Sequence, residues 1–149
     1  MPLIYQHRIF REDLRRNSDV LYVFGDNMIR KGMGGQAGHM RGEPNAVGVA
    51  TKRTPGMHDT DFFGDDPVAV DAQCRTIDED FRRLFAHVKK GGIVVWPSDG
   101  IGTGLSELPT RSPATMTYIE QKLIALHRVA ELHKRGELDR MDRELAPHL

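Results

Sequence analysis

The sequence predicts an α/β layered domain, in which helices cover a central sheet. Short runs of branched and aromatic residues, typical of strands, alternate with two long segments whose apolar residues recur at helical spacing. The runs at residues 20–24 and 92–96 are apolar at nearly every position, so both faces of those strands are expected to be buried, as in a parallel sheet. This alternation of strands and helices favours the α/β class.

Four strands are predicted. The first lies within residues 3–10, where β-favouring side chains mix with polar ones, and it pairs either at the edge of the sheet or inside it. A charged segment at 11–19 then forms a loop or a short helical turn. The remaining strands are predicted at residues 20–24, 46–50 and 92–96.

The first long helix is predicted to begin at Asp66-Pro67, an N-cap followed by a first-turn proline, and to stop at Lys89-Lys90-Gly91. Its spacing puts Cys74 on the inner face, which favours a core thiol over a nucleophile. The other inner residues are Val70, Ile77, Phe81, Leu84, Phe85 and Val88.

The second long helix is predicted to begin at Ser112-Pro113. Residues 54–66 before the first helix contain glycine, proline, acids and histidines, and predict a mobile loop, either a surface excursion or a lid. The charged tail from about residue 134 predicts a solvated terminal helix or a frayed end. The inner face of the second helix is Met116, Ile119, Leu123, Leu126 and Val129.

Length and composition narrow the function classes. The 149 residues are expected to form one domain, 1–149, and the equal count of 21 acidic and 21 basic residues gives no general attraction to nucleic acid or anionic membranes. A single cysteine excludes an internal disulfide and a cysteine-built metal site. No apolar run is long enough for a membrane span, and a cytoplasmic protein is expected. No metal and no cofactor are expected, and the oligomeric state stays open.

The segment around which the chain is organised runs from residue 20 to 41. Its strand ends at Gly25-Asp26-Asn27, which places polar side chains where open α/β sheets bind ligands. Gly32, Gly34 and Gly35 follow, and a helix predicted over 36–41 would turn free N–H groups and its positive dipole end toward an anion. The sequence therefore predicts a site for a phosphate-containing ligand.

A second glycine-rich loop follows the strand at 92–96. Gly100, Gly102 and Gly104 alternate with Ile101 and Thr103, a pattern that suits a tight bend presenting successive N–H groups to an anion. If the two strands are parallel and adjacent, both glycine loops converge on one cleft. Thr51 and Lys52 lie at the end of the third strand and extend the same edge.

Other common motifs do not fit. The second loop lacks the helix that a dinucleotide fingerprint requires directly behind it, and Gly48-Val-Ala-Thr-Lys lacks the order of a P-loop. The seven histidines have no zinc spacing, and His39, the one near the predicted site, is expected to be a capping or surface residue. Ser98 lacks the surroundings of a nucleophile elbow.

The order of these segments resembles a macrodomain, the ADP-ribose-binding module. Phe24-Gly-Asp-Asn27 with Gly32-Met-Gly-Gly-Gln-Ala37 is similar to that family's first site segment, and Ile101-Gly-Thr-Gly-Leu-Ser-Glu-Leu-Pro109 to its second. The resemblance implies a three-layer sandwich with a mixed, largely parallel sheet flanked by helices, and ADP-ribose or a related nucleotide along a cleft.

The resemblance also implies roles for single residues. Asn27 would contact the distal ribose, the backbone of Gly34 and Gly35 would line that ribose and a phosphate, and Gly102 to Gly104 would wrap the diphosphate. Asp13 would accept from the adenine amino group, as Glu12 could instead. The expected ligand-binding residues are Asp13, Gly25, Asp26, Asn27, Gly32, Gly34, Gly35, Gln36, Thr51, Lys52, Ser98, Asp99, Gly100, Ile101, Gly102, Thr103, Gly104 and Leu105.

Turnover is a separate question. Some hydrolytic macrodomains carry an acid directly after the glycines, where Gln36 and Ala37 stand here. Asn27, Asp26 and Glu107 are therefore the candidate catalytic residues for an ADP-ribosyl hydrolase, with Glu43 and Asp99 as further carboxylates.

Two alternatives stay open. The glycine segments are also similar to the lysine-decarboxylase-like nucleotide hydrolases, which cleave the N-glycosidic bond of nucleoside monophosphates, and Glu107 falls near the position of their catalytic glutamate. The third hypothesis is a non-catalytic interaction module whose charged tail, residues 134–143, docks a partner.

Overall fold

The core of the protein is a sheet of four parallel strands, seen in a computed structural model that describes residues 2–149. The strands are β1 (Leu3–Gln6), β2 (Leu21–Asn27), β3 (Ala46–Lys52) and β4 (Val94–Pro97). Their spatial order is β1-β4-β2-β3, so the first strand is at an edge and β2 lies inside the sheet. Within residues 2–149 the antiparallel component is one isolated bridge between Lys52 and Phe62.

Helices occupy both faces of this sheet, which confirms the predicted α/β three-layer class. They are α1 (Arg11–Arg16), α2 (Ala37–Met40), α3 (Pro67–Lys89), α4 (Leu108–Arg111), α5 (Pro113–Lys134) and α6 (Leu138–Leu145), with short 3-10 turns at Asp59–Asp61 and Ala146–His148.

The two faces are covered unequally. The larger core lies between the sheet and α3, α5 and α6, and it includes Val23, Val49 and Trp96. The smaller core lies under α1 and α2, where Leu14 and Met40 pack on strand residues that point the other way. Successive strand residues serve opposite faces, so a run such as 20–24 must be apolar throughout.

Helix α3 begins as predicted, with the Asp66 carboxylate accepting from Ala69 N at 3.0 Å. The prediction for Cys74 is wrong in degree, because its thiol is only half-buried. Gln73 takes the buried position instead, and its side-chain amide bonds Gly64 and the Thr115 hydroxyl. A polar side chain can occupy that position because each of its polar atoms has a partner.

The segment 54–66 is anchored to the rest of the fold. Phe62 and Phe63 are buried, and the Arg111 guanidinium lies 3.9 Å from the centre of the Phe62 ring. Ser112 Oγ donates to Gly64 O at 2.7 Å. The predicted surface loop is therefore corrected to a folded connection, since two adjacent phenylalanines supply the burial that its polar composition concealed.

The charged tail is also packed rather than solvated all round. Met141 and Leu145 of α6 are buried in the larger core, four residues apart on one helix face. The chain end is held by His148, which stacks on Phe85 at 4.1 Å and bonds the buried Lys122 ammonium at 2.7 Å. Burial, and then the charge of Lys122, lower the pKa of His148.

Within residues 2–149, no helix combines the length and apolar character needed to cross a membrane.

Candidate functional site

The loops that follow β2 and β4 face each other at the carboxyl edge of the sheet. The two strands are hydrogen-bonded neighbours, as the convergence of the glycine loops requires. A Cβ on Gly25 would lie 3.6 Å from Gly102 N, and one on Gly34 would lie 3.7 Å from Leu105 Cδ1. Two segments about seventy residues apart in sequence therefore form the two walls of one cleft.

This space, the strand-end cleft, consists of two adjoining cavities of about 100 and 270 Å³. The smaller one lies over Asn27 and the larger one under the second glycine loop, and both are lined by Gly25, Gly34, Leu105 and Ser106. The cleft brings together most of the predicted ligand residues: Gly25, Asp26, Asn27, Gly32, Gly34, Gly35, Gln36, Lys52, Asp99, Gly100, Ile101, Gly102, Thr103, Gly104 and Leu105.

Four predicted residues lie outside the cleft lining. Asp13 sits on α1, where its carboxylate accepts from Phe10 N and caps the helix. Ser98 is exposed beyond β4, and Thr51 is buried beneath the cleft. Glu107, predicted from the nucleotide hydrolases, pairs with Arg111 at 3.5 Å.

The helix predicted over 36–41 is a single turn, α2, so the prediction that its positive dipole end attracts an anion is corrected. A one-turn helix aligns too few peptides to act as a substantial dipole. What remains on that side is the glycine backbone itself, with Gly32 and Gly35 at φ of 101° and 56°.

Side chains that the sequence did not single out complete the walls. Lys31 and Arg41 bring positive charge, Pro55 comes from the 54–66 segment, and Ser106 brings a hydroxyl. Ala37 closes the side next to α2. Lys31, Ala37 and Arg41 lie within the segment 20–41 that the sequence singled out, and Arg41 is the last residue of the predicted helix. Pro55 and Ser106 come from distant segments, and no short motif links them to the site.

Asp26 is held in a buried charge network. Its Oδ1 accepts from Arg41 Nη2 at 2.5 Å and its Oδ2 from Arg41 Nη1 at 3.2 Å, a bidentate pair. Arg30 lies 3.5 Å from the same carboxylate and donates to Asp80 at 2.6 Å. Burial raises the pKa of Asp80. The hydrogen bonds that its carboxylate accepts from Ala50 N–H and from Arg30 act in the opposite direction and lower that pKa. The carboxylate of Asp26 is thus occupied in bracing the cleft wall.

Gly48 makes room for this network. A Cβ at position 48 would lie 2.4 Å from Asp26 Oδ2 and 2.9 Å from Asp26 Cβ. Because β3 pairs with β2, only a glycine there lets the carboxylate lie flat over the neighbouring strand and reach Arg41.

Asn27 also serves its own loop. Its side-chain Nδ2 donates to Lys31 O at 2.6 Å, and its Oδ1 accepts from Lys31 N at 3.4 Å. These bonds close the turn that leads to the glycines, and Arg30 within it has a left-handed φ of 58°. The amide therefore shapes the cleft floor on which a ligand would lie.

The opposite wall is built from the end of β3. Lys52 Nζ donates to Gly56 O at 2.5 Å and lies 4.5 Å from the centre of the Phe62 ring. Beneath it, Thr51 Oγ1 bonds Asp26 O at 3.2 Å and Ser106 Oγ at 2.7 Å, which ties the β3 end to the second glycine loop. The ammonium has three N–H donors, of which one bonds Gly56 O and a second lies 3.7 Å from Met57 Sδ.

The charge balance of the cleft favours an anion. Lys31, Arg41 and Lys52 line the smaller cavity, against one carboxylate, Asp26. The larger cavity is lined by glycines and by Asp99, whose side chain is 75% exposed and lies 3.4 Å from His7. The inner part of the cleft therefore carries the positive charge and the rim the negative.

Chemistry that needs a free carboxylate deep in the cleft has little to use. Asp26 is paired twice, and Asp99 stands at the exposed rim. Across residues 2–149, no cluster of three or more His, Cys, Asp or Glu side chains has the geometry of a metal site. Because Arg41 is paired with Asp26, the arrangement is suited to binding a polyanion through peptide N–H groups and the ammonium groups of Lys31 and Lys52.

Comparison with known proteins gives a family. Searches of curated proteins and of solved structures found no significant match. A family of unknown function, DUF7831, matches residues 4–122, a span that holds all of the sheet except Leu3 and both cleft loops. The chain therefore belongs to DUF7831.

Proposed function

We propose that the protein binds ADP-ribose or a related ADP-containing nucleotide in the strand-end cleft. The observation that carries the proposal is the meeting of two glycine-rich loops, after the adjacent parallel strands β2 and β4, across one cleft. Ligands of open α/β sheets bind outside the carboxyl ends of the strands, and glycine backbones let phosphate oxygens approach N–H groups closely.

The diphosphate is assigned to the space between the loops, beside Gly34 and Gly102. The distal ribose then lies over Asn27 in the smaller cavity, where Lys31 and Lys52 add positive charge. This placement uses the polarity of the cleft, with cations inside and peptide amides along the larger cavity.

Binding is favoured over hydrolysis by the state of the carboxylates. Asp26 is engaged by Arg41, and Glu107 lies outside the lining in an ion pair with Arg111. A general base must reach a water beside the scissile bond, and neither side chain has a free oxygen placed there. The nucleotide N-glycosidase alternative, which uses Glu107, gains no support from this geometry.

Calorimetric titration with ADP-ribose, AMP and inorganic pyrophosphate tests the proposal. Gly104→Val is the informative variant, because Gly104 lines the cleft and a Cβ there would meet no atom within 4 Å. Gly64→Ala is a glycine control outside the cleft, where the added Cβ would have its nearest contact at an ordinary 3.4 Å.

We expect ADP-ribose to bind the native protein and the control alike, and Gly104→Val to bind it at least about tenfold more weakly, a loss of roughly 1.4 kcal/mol. Absence of ADP-ribose binding at millimolar concentration overturns the proposal. Release of free base from AMP that Glu107→Gln abolishes would instead establish the N-glycosidase.

A further inference from the structure

An apolar pocket of about 270 Å³ lies on the other side of the second glycine loop from the strand-end cleft. Its walls are the side chains of Tyr5, Trp96, Ile101, Met116, Ile119 and Leu123. It is open on the α5 side of the sheet, opposite α1 and α2, and none of the residues assigned to the ligand by family resemblance supplies its aromatic walls.

The pocket and the cleft share a thin partition. Asp99, Gly100, Ile101 and Thr103 line both spaces, so a single stretch of backbone separates them. Gly100 has a φ of 81°, which holds the loop in a bend over the end of β4. A ligand whose phosphates bind in the cleft can thus place its next group over this loop, in the pocket.

The aromatic wall is fixed before any ligand arrives. Tyr5 and Trp96 are partners in the β1-β4 register, and the Tyr5 ring stacks on His127 with its hydroxyl 2.6 Å from Nε2. Tyr5 as a whole residue is 49% exposed, although its ring and its hydroxyl both contact His127. A rigid, half-exposed aromatic ring beside an apolar floor is a stacking surface.

The rim of the pocket carries acceptors. Asp99 and Glu120 both line it, and Glu120 has no ion-pair partner within the part of the chain that the structure describes. A carboxylate accepts from an exocyclic amine. The combination of flat apolar walls with two carboxylates matches an aromatic base that bears an amino group.

We infer that this pocket is the base subsite of the nucleotide, taking an amino-substituted ring such as adenine over the Gly100 loop. The inference rests on the proposed function for the position of the phosphates, and it assigns the base to the α5 side. It differs from the assignment of the amine to Asp13, which lies on α1 at the opposite face of the sheet from this pocket.

Trp96 is the only tryptophan in the sequence and lines this pocket, so its fluorescence reports occupancy directly. The probes are adenosine, AMP, ribose 5-phosphate and inorganic pyrophosphate, with excitation above the absorption of adenine. Leu123→Phe fills the pocket from a partly buried position, and Ile124→Phe is the matched control on the exposed face of α5, where the side chain is 68% exposed.

We expect AMP and adenosine to change Trp96 fluorescence and ribose 5-phosphate to leave it unchanged. Leu123→Phe is expected to weaken AMP at least about tenfold, the scale of one stacked base, while calorimetric pyrophosphate binding stays within about twofold and Ile124→Phe matches the native protein.

The two proposals fail separately. AMP that binds by calorimetry without altering Trp96, and equally well in Leu123→Phe, overturns the base subsite and leaves the diphosphate cleft intact. If the native protein binds neither pyrophosphate nor AMP, but adenosine still changes Trp96 fluorescence, the diphosphate cleft is overturned and the base pocket is supported. No fluorescence change with adenosine or AMP at millimolar concentration overturns the pocket.

Discussion

Replacing Asp26 by asparagine tests whether this carboxylate braces the cleft or is free for chemistry. The side chain is 4% exposed and its partner Arg41 is 19% exposed, so the pair is nearly removed from water. Asp26→Asn keeps the volume but withdraws the charge from Arg41 and Arg30. Breaking one side of a buried pair costs about 3–5 kcal/mol, because the remaining cation is left uncompensated.

That loss is large for a chain of this length. Domains are stable by about 5–15 kcal/mol in total, so Asp26→Asn removes at least about a fifth of the free energy of unfolding. At about 2–4 °C per kcal/mol for a protein of this size, the melting temperature should fall by about 6–20 °C. Urea unfolding followed by Trp96 fluorescence measures the free energy, and a thermal scan by circular dichroism measures the shift.

Asp99→Asn is the control, since it makes the same chemical change at a rim carboxylate that is 75% exposed. Its effect should stay within about 0.5 kcal/mol, as for most surface substitutions. Arg41→Met combined with Asp26→Asn should be less destabilised than the sum of the single changes, because the pair is coupled. If Asp26→Asn costs no more than Asp99→Asn, the bracing role is refuted and Asp26 returns as a candidate catalytic group.

Three further changes test other parts of the structure. Gly102→Ala should cost about 2–5 kcal/mol in urea unfolding, from strain at φ 78° and a Cβ 2.9 Å from Leu108, whereas Gly104→Ala should be near neutral; equal effects would refute the tight-loop argument. Met141→Ala should cost about 2–5 kcal/mol if α6 is part of the core, and a neutral result would restore the solvated tail. Folding lowers the pKa of His148, so the unfolded chain binds this proton more readily than the folded one. The contribution of neutral His148 to the free energy of unfolding should therefore be complete above the ordinary histidine pKa of 6.5, and it should be lost as the pH falls through the lower pKa of the folded state. The urea midpoint against pH should show this loss in the native protein and not in His148→Phe.

Local patterns were sufficient for the strands and the long helices. The continuous apolar runs became β2 and β4, and the Asp66-Pro67 start of α3 is observed with its capping bond. The convergence of the two glycine loops was predicted only on the condition that their strands are parallel and adjacent, and the structure meets both conditions. The strand and helix predictions depended on residues close together in the sequence, whereas the adjacency of β2 and β4 did not follow from any local pattern.

The failures arose where a distant partner decides the role of a residue. Asp26 has the position of a catalytic acid in the sequence, and only the fold shows Arg41 across from it. Met141 and Leu145 stand among charges, so their shared face gains meaning only when α5 lies against it. Phe62 and Phe63 were hidden in the same way by a polar segment. Pairings across the fold have no short-range signature in a single sequence.

The same distant pairings argue that the cleft is preorganised. Gly48 and Arg41 fix Asp26, the Asn27 amide closes the turn before Gly32, and Leu108 packs where Gly102 has no side chain. Each contact holds a segment of the cleft's backbone, so little conformational entropy remains to be lost when an anion binds. A cleft of peptide amides needs this support, because a backbone N–H directs its bond only as well as its own φ and ψ are held. The buried charge network therefore supports the binding role of the glycines, since the network holds the backbone geometry in which the glycine N–H groups can bind an anion.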